Sequence, residues 1–140
     1  MTNAKTKITL FVTSTSRGIQ RAGRFVENIK NNCNMKDDSY IPMLTAINEA
    51  MYNAVEHGNK KDPRKQVCLK VAYDKYRCEY TIEDEGDGFA HRYVKDPTLP
   101  ENILRERGRG IFIMKHFASA VEFMKNGRCV RLAFDFGGVC

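Results

Sequence analysis

The sequence has no apolar run approaching the roughly 20 residues of a membrane span, and Met1 to Lys7 hold no apolar core of a secretory signal. The chain is therefore expected to be cytoplasmic and to have no membrane partner. It also lacks any C-x-x-C pair. Cys33, Cys68, Cys78, Cys129 and Cys140 are odd in number and widely spaced, which excludes an obvious zinc site and speaks against a disulfide framework. There is no internal repeat, no low-complexity segment and, within 140 residues, little length for a second domain. A single domain over 1–140 can bury roughly two thirds of its unfolded surface, so it needs neither metal nor disulfide to hold a core.

What is abundant is positive charge, a net +6, which first suggests nucleic acid. Its distribution argues otherwise. Basic blocks at 1–35, 60–78 and 102–140 alternate with acidic ones, net −3 over 36–59 and −5 over 79–101. Alternating blocks suit solvated faces or contacts to an acidic partner, so direct nucleic-acid binding is not expected.

Lys5 to Thr13 alternates with Ile8, Leu10 and Val12 on one side and predicts a half-buried strand. Ile19, Ala22, Phe25, Val26 and Ile29 recur at helical spacing from Arg17 to about Asn32. A second helix is expected to start at a cap provided by Asp37, Asp38 or Ser39, with Pro42 in its first turn, and to run to His57 before Gly58. Gln66–Tyr73 and Arg77–Glu83 predict a hairpin, and 90–107 a long aperiodic loop. Gly108-Arg109-Gly110 is expected to open a third helix running to about Ala118, followed by a closing hairpin across Asn126-Gly127. The fold class expected is α+β, an α/β sandwich with helices on one face of a mixed, mainly antiparallel sheet.

Three places could carry chemistry. On the second helix Thr45, Glu49, Asn53 and Glu56 fall within a sector of about 80°, opposite Leu44, Ile47, Met51, Ala54 and Val55. That polar strip must face either solvent or a cavity. No Lys or Arg lies between Ile41 and Asn59 to pair with its acids. Asp84-Glu85-Gly86-Asp87-Gly88 follows a strand and could be a tight turn. It is no calcium loop, because Gly86 stands where an oxygen ligand is required. Gly108-Arg109-Gly110-Ile111 could offer free N–H groups to phosphate at a helix start, yet it fails the dinucleotide fingerprint because Ile113 occupies the third small position. The Walker lysine motif and the eukaryotic-type protein kinase motifs are absent.

In combination and order, these motifs resemble the Bergerat-fold ATPases shared by histidine kinases and gyrase, and most closely the stand-alone anti-sigma factor serine kinases of bacteria. The family helix carries E-A-x-x-N-A-x-x-H, and this chain has Glu49-Ala50-Met51-Tyr52-Asn53-Ala54-Val55-Glu56-His57. The resemblance spans nearly the whole chain and implies a helix motif over 44–58, an adenine loop over 84–88, an ATP lid over 90–107 and a phosphate-binding helix start over 108–113.

It further implies ATP and Mg²⁺ as cofactors, with Asn53 on the metal and Glu49 as the general base that takes a proton from an attacking serine. Asp84 would read the adenine amino group, Gly86 would let the backbone approach the base, and Gly88 would turn the chain into the lid. Gly108, Arg109, Gly110 and Ile111 would meet the phosphates. The implied partners are a sigma factor, a STAS-type anti-anti-sigma protein phosphorylated on serine, and a second copy of the chain. A non-catalytic regulator that binds ATP only to switch partners is the alternative. One departure stands out: the family commonly has Gly-Thr before the last strand, and this chain has Gly127-Arg128.

Overall fold

Ile8, Leu10 and Val12 point to one side of the first strand, β1 (Thr6–Thr13), and this period of two pins it to a buried surface. The computed structural model describes residues 5–33, 35–86 and 101–136, leaving aside the side chains of 101–108. After β1 come α1 (Ser16–Cys33) and α2 (Asp37–Tyr52), which widens without a break into a π-helical turn over Asn53–Gly58. Then follow β2 (Gln66–Tyr73), β3 (Arg77–Glu83), α3 (Glu101–Phe117), β4 (Ala120–Met124), a short 3-10 turn (Lys125–Gly127) and β5 (Cys129–Asp135).

The five strands form one sheet in the order β1-β2-β3-β5-β4. The expectation of a mixed sheet is corrected in detail, since all four pairings are antiparallel. The α3 crossover leaves β4 running parallel to β3, but β5 returns between them and makes both contacts antiparallel. Asp74 turns the central hairpin as its carboxylate accepts the Tyr76 and Arg77 N–H groups at 2.8 and 2.9 Å.

Helices cover the face presenting Val12, Val67, Leu69, Val71, Tyr80, Ile82 and Leu132. Ala22, Val26 and Ile29 of α1 are buried, while Ile19 and Phe25 are half-buried against the same core. From α2 and its π turn Ile47, Met51, Ala54 and Val55 are buried as their spacing predicts, and Leu44 is half-buried. The other sheet face carries Glu79, Glu83 and Glu122, which pair with Lys5, Arg77, Lys125 and Arg131, Arg131 bridging from β5 to Glu79 of β3 and Glu122 of β4. Among the described residues no helix is long and apolar enough to cross a membrane.

Three local expectations are corrected. Lys36, in an extended conformation and without a side-chain cap bond, is the N-cap of α2. Asp37 and Asp38 sit in the first turn, where their charge suits the helix dipole, and Asp37 pairs with Lys30 at 2.8 Å. Pro42 is therefore the sixth helical residue, beyond the first turn, and forgoes the bond to the Asp38 carbonyl. Most consequential, α3 begins at Glu101, so the Gly-Arg-Gly motif lies inside the helix and does not open it. Glu101 to Arg107 is mostly strong helix formers, and two glycines at about 1 kcal/mol each do not break a helix packed on α2.

Candidate functional site

Of the polar strip, Glu49 and Asn53 face α3, with Glu49 on an open groove, while Glu56 pairs with Lys61 at 3.0 Å. Glu49 is half-buried, and Asn53, at the first position of the π turn, is 3% exposed. Both converge on Gly110 of α3. A Cβ placed there would lie 3.1 Å from Glu49 Oε2 and 3.4 Å from Asn53 Nδ2, so a glycine lets α3 approach the two groups. Asn53 Nδ2 is buried and finds no hydrogen-bond partner among the described residues, a costly state for an amide unless a ligand completes it. Beside Glu49 a groove of about 420 Å³ opens between Ile19, Asn48, Tyr52 and Arg109.

On the other side of Asn53 lies a second, narrow space lined by Ala50, Ala54, Ile82, Asp84, Met114, Phe123, Gly127, Arg128 and Val130. It measures about 10 Å³, room for one water molecule. Asp84 is 4% exposed and accepts the Gly86 N–H at 2.7 Å. Burial pushes its carboxyl from 3.8 up to about 6, against the downward pull of the Gly86 bond and the Arg128 guanidinium. Its own N–H donates to the Arg128 carbonyl at 2.9 Å, which joins the end of β3 to the start of β5.

Gly58 closes the π turn against this carboxylate: a Cβ on Gly58 would collide with Asp84 Oδ2, and one on Gly86 with the Gly58 carbonyl. Gly58→Ala is expected to cost about 1–3 kcal/mol and to displace the carboxylate. Gly23→Ala, on α1 with open space around its Cα, should instead stabilise by about 0.5–1 kcal/mol. Urea unfolding of the two variants checks the contrast.

The structure thus brings Glu49, Asn53, Asp84, Gly86, Arg109 and Gly110 to one side of the sheet, around α2. The contributions expected of Gly108, Gly110 and Ile111 are corrected in one respect. They are the eighth, tenth and eleventh residues of α3, so their N–H groups belong to the helical ladder and are not the free donors of a helix start. Ile111 packs its half-buried side chain on the core. Gly88 and residues 90–100 of the expected lid lie outside the described residues, and 101–107 are helical.

Comparison with known proteins decides the family. A family model described as a histidine kinase-like ATPase domain matches residues 12–134. The chain belongs to that family. It is 35% identical over 86 residues to an anti-sigma F factor of Bacillus cytotoxicus, covering 59% of this chain and 58% of that protein. It is 34% identical over 96 residues to one of Heyndrickxia coagulans, covering 63% and 64%, and 34% identical over 88 residues to one of a Geobacillus species, covering 60% and 59%. The match thus spans about three fifths of each of these relatives. Membership of an ATPase family makes ATP the expected ligand; the site offers a buried carboxylate, and a buried amide with a half-buried carboxylate one helical turn away.

One residue escaped the sequence reading. Asn59, next after Gly58, is 1% exposed; it links the π turn to β1, β2 and the Asp84 loop. Its position just past the E-A-x-x-N-A-x-x-H motif was the available signal, but an Asn there reads equally well as a helix stop.

Proposed function

We propose that this protein is an ATP-dependent protein-serine kinase of the cytoplasm that also acts as an anti-sigma factor, binding a sigma factor and phosphorylating a STAS-type anti-anti-sigma protein. The observation carrying this reading is that Asn53 stands between the other two groups by contact: it shares the narrow pocket with Asp84 and the approach of Gly110 with Glu49, which lines the open groove. An adenine held at Asp84 directs its phosphates past Asn53 and Gly110 towards Glu49 and Arg109.

In this mechanism the Asp84 carboxylate accepts the adenine N6–H, a contact that guanine, with an oxygen there, cannot make. Asn53 would hold Mg²⁺ through its amide oxygen, a neutral hard ligand for an ion that takes most of its ligands from phosphate and water, while its unpartnered Nδ2 is a donor suited to a phosphate oxygen. When bound, Mg²⁺ supplies charge neutralisation on the triphosphate. Arg109 adds positive charge at the groove. Glu49 accepts the proton of the incoming serine hydroxyl as its oxygen bonds to the γ-phosphorus, while the bond from that phosphorus to the β-bridging oxygen breaks and ADP leaves.

Incubation of the protein with γ-labelled ATP, Mg²⁺ and its cognate STAS protein should yield labelled phosphoserine. No transfer to a verified partner would overturn the kinase reading. Asn53→Ala is expected to remove most of the Mg²⁺ dependence of ATP binding, measured by calorimetry with and without the metal. The homologues named as anti-sigma F factors support a sigma-factor partner, and we include a homodimer in the proposal, testable by sedimentation.

One observation favours a second reading. The pocket at Asp84 is too small for a purine, so its walls, among them Met114, Phe123 and Arg128, must move apart for a base to enter. A nucleotide that reshapes these elements could switch partners without chemistry, and this reading predicts ATP binding with no transfer.

A further inference from the structure

We propose that Asn59 is a positioning residue that ties the helix bearing Glu49 and Asn53 to the loop bearing Asp84, so that the two ends of a bound nucleotide are held at a fixed spacing. The ligand in this statement rests on the nucleotide reading above; the linkage itself concerns only this chain's own residues.

Asn59 is almost fully buried, and its side-chain bonds reach three other elements. Its Oδ1 accepts the Glu85 N–H at 2.7 Å, directly after Asp84. Its Nδ2 donates to Ser14 Oγ, just past β1, at 2.6 Å and to the Gln66 carbonyl, at the start of β2, at 3.0 Å. Its backbone N–H donates to the Ala54 carbonyl at 2.8 Å, one residue wider than an α-helical bond, and so fastens it to the π turn that starts with Asn53. Only asparagine offers one acceptor and two donors at this length: aspartate lacks the donors, and glutamine is a methylene too long.

Two further features place the junction at the site. Gly58 and Gly86 pack against the Asp84 loop and the π turn respectively, so the contact between the segments runs over Gly58-Asn59 and Asp84-Glu85-Gly86. The Glu85 carboxylate also accepts the Gln66 N–H at 2.6 Å, so Gln66 is gripped by both partners. The chain then leaves Asn59 through Lys60 and Lys61 at φ 54° and 58°, the left-handed region that L-residues enter at a cost. The Lys61 N–H to the Val55 carbonyl, 2.8 Å, holds that turn.

A merely structural Asn59 would serve β1 and β2 alone, and Ser14→Ala removes its bond at the end of β1 without touching the Glu85 bond. The test compares Asn59→Ala, Asn59→Asp and Ser14→Ala in the full chain, at a temperature where all are folded, by amide hydrogen exchange without nucleotide and by calorimetry with ADP. In Asn59→Ala the Glu85 and Gly86 amides should exchange about tenfold faster or more, with Tyr80 and Ile82 unchanged, and ADP affinity should fall about tenfold. Asn59→Asp keeps the acceptor and should restore much of the protection at Glu85. Ser14→Ala should leave both readouts within about twofold of the wild type.

The proposal is overturned if Glu85 exchange in Asn59→Ala follows Tyr80, if its ADP affinity equals that of the wild type, or if Ser14→Ala loses as much ADP affinity. Should Asn59→Ala fail to fold, Asn59→Ser, whose hydroxyl is too short to reach the Glu85 N–H, takes its place and is read by the same criteria. A wild type that binds no ADP sinks the nucleotide reading instead, and the exchange comparison then decides the linkage alone.

Discussion

Asp84→Asn is expected to stabilise the protein at neutral pH while weakening its hold on adenine. Burial raises the Asp84 carboxyl from 3.8 to about 6. The folded state therefore binds a proton more tightly than the unfolded state does. Between about pH 4 and pH 6 the native protein carries more protons at this group, so its stability falls as pH rises, and the penalty is complete above the folded value. Two pH units correspond to about 3 kcal/mol as an upper figure. Asparagine removes the charge, keeps an oxygen for the Gly86 N–H, and buries an amide in its place, so a net gain of about 1–2 kcal/mol at pH 7 is expected.

Near pH 4 the wild-type carboxyl is largely protonated when folded, and the gain should shrink towards zero. Urea unfolding of both proteins at pH 4.5 and pH 7.5 measures it. ADP affinity of the variant should drop by about tenfold or more, because a neutral amide is a weaker acceptor than a carboxylate for the base amino group. A variant that is less stable at pH 7.5, or that binds ADP as tightly as the wild type, would remove Asp84 from this role.

The second large effect is at Glu49. Glu49→Gln preserves size, and with it the close approach of Gly110, but removes the proton acceptor. Transfer from bound ATP to the partner serine should fall about 10²–10⁴-fold, with ADP affinity within a few-fold of the wild type. Single-turnover transfer followed with labelled ATP reads the first quantity and calorimetry the second. Transfer within tenfold of the wild type would mean that another group takes the proton. Unchanged transfer in Glu49→Gln with lost affinity in Asp84→Asn would divide the site into a working binding half and a misassigned chemical half.

Where periodicity was strong, the sequence was legible. The alternation of Gln66–Tyr73 and Arg77–Glu83 and the helical spacing of α1 and α2 gave these elements nearly to the residue, because one face of each is buried. The start of α3 was not legible. Its first turns alternate charges without an apolar stripe, and two glycines follow, so local pattern argued for a loop; the packing of α3 on α2 overrides it. The cap of α2 was misplaced as well: Asp37, Asp38 and Ser39 are all apt caps by type, yet all three lie inside the first turn, where Asp37 also pairs with Lys30.

At the site, the residue types at Glu49, Asn53 and Asp84 were readable because each makes an unusual choice for its position. The role of Asn59 was not, because it depends on four segments meeting in space. The narrowness of the pocket at Asp84 likewise follows from how Met114 and Phe123 pack, which no spacing encodes.

The widened turn over Asn53–Gly58 amounts to a one-residue insertion into a helix that would otherwise continue at 3.6 residues per turn. Deleting one residue between Ala54 and His57 would let a regular helix re-form, with better local hydrogen bonding. It would also rotate everything beyond by about 100°, carrying Gly58 away from the Asp84 carboxylate and Asn59 away from Glu85. The length of this segment thus acts as a gauge for the spacing between the Asp84 loop and the Glu49–Asn53 strip, and under the proposed function a shortened chain is expected to fold yet lose nucleotide binding.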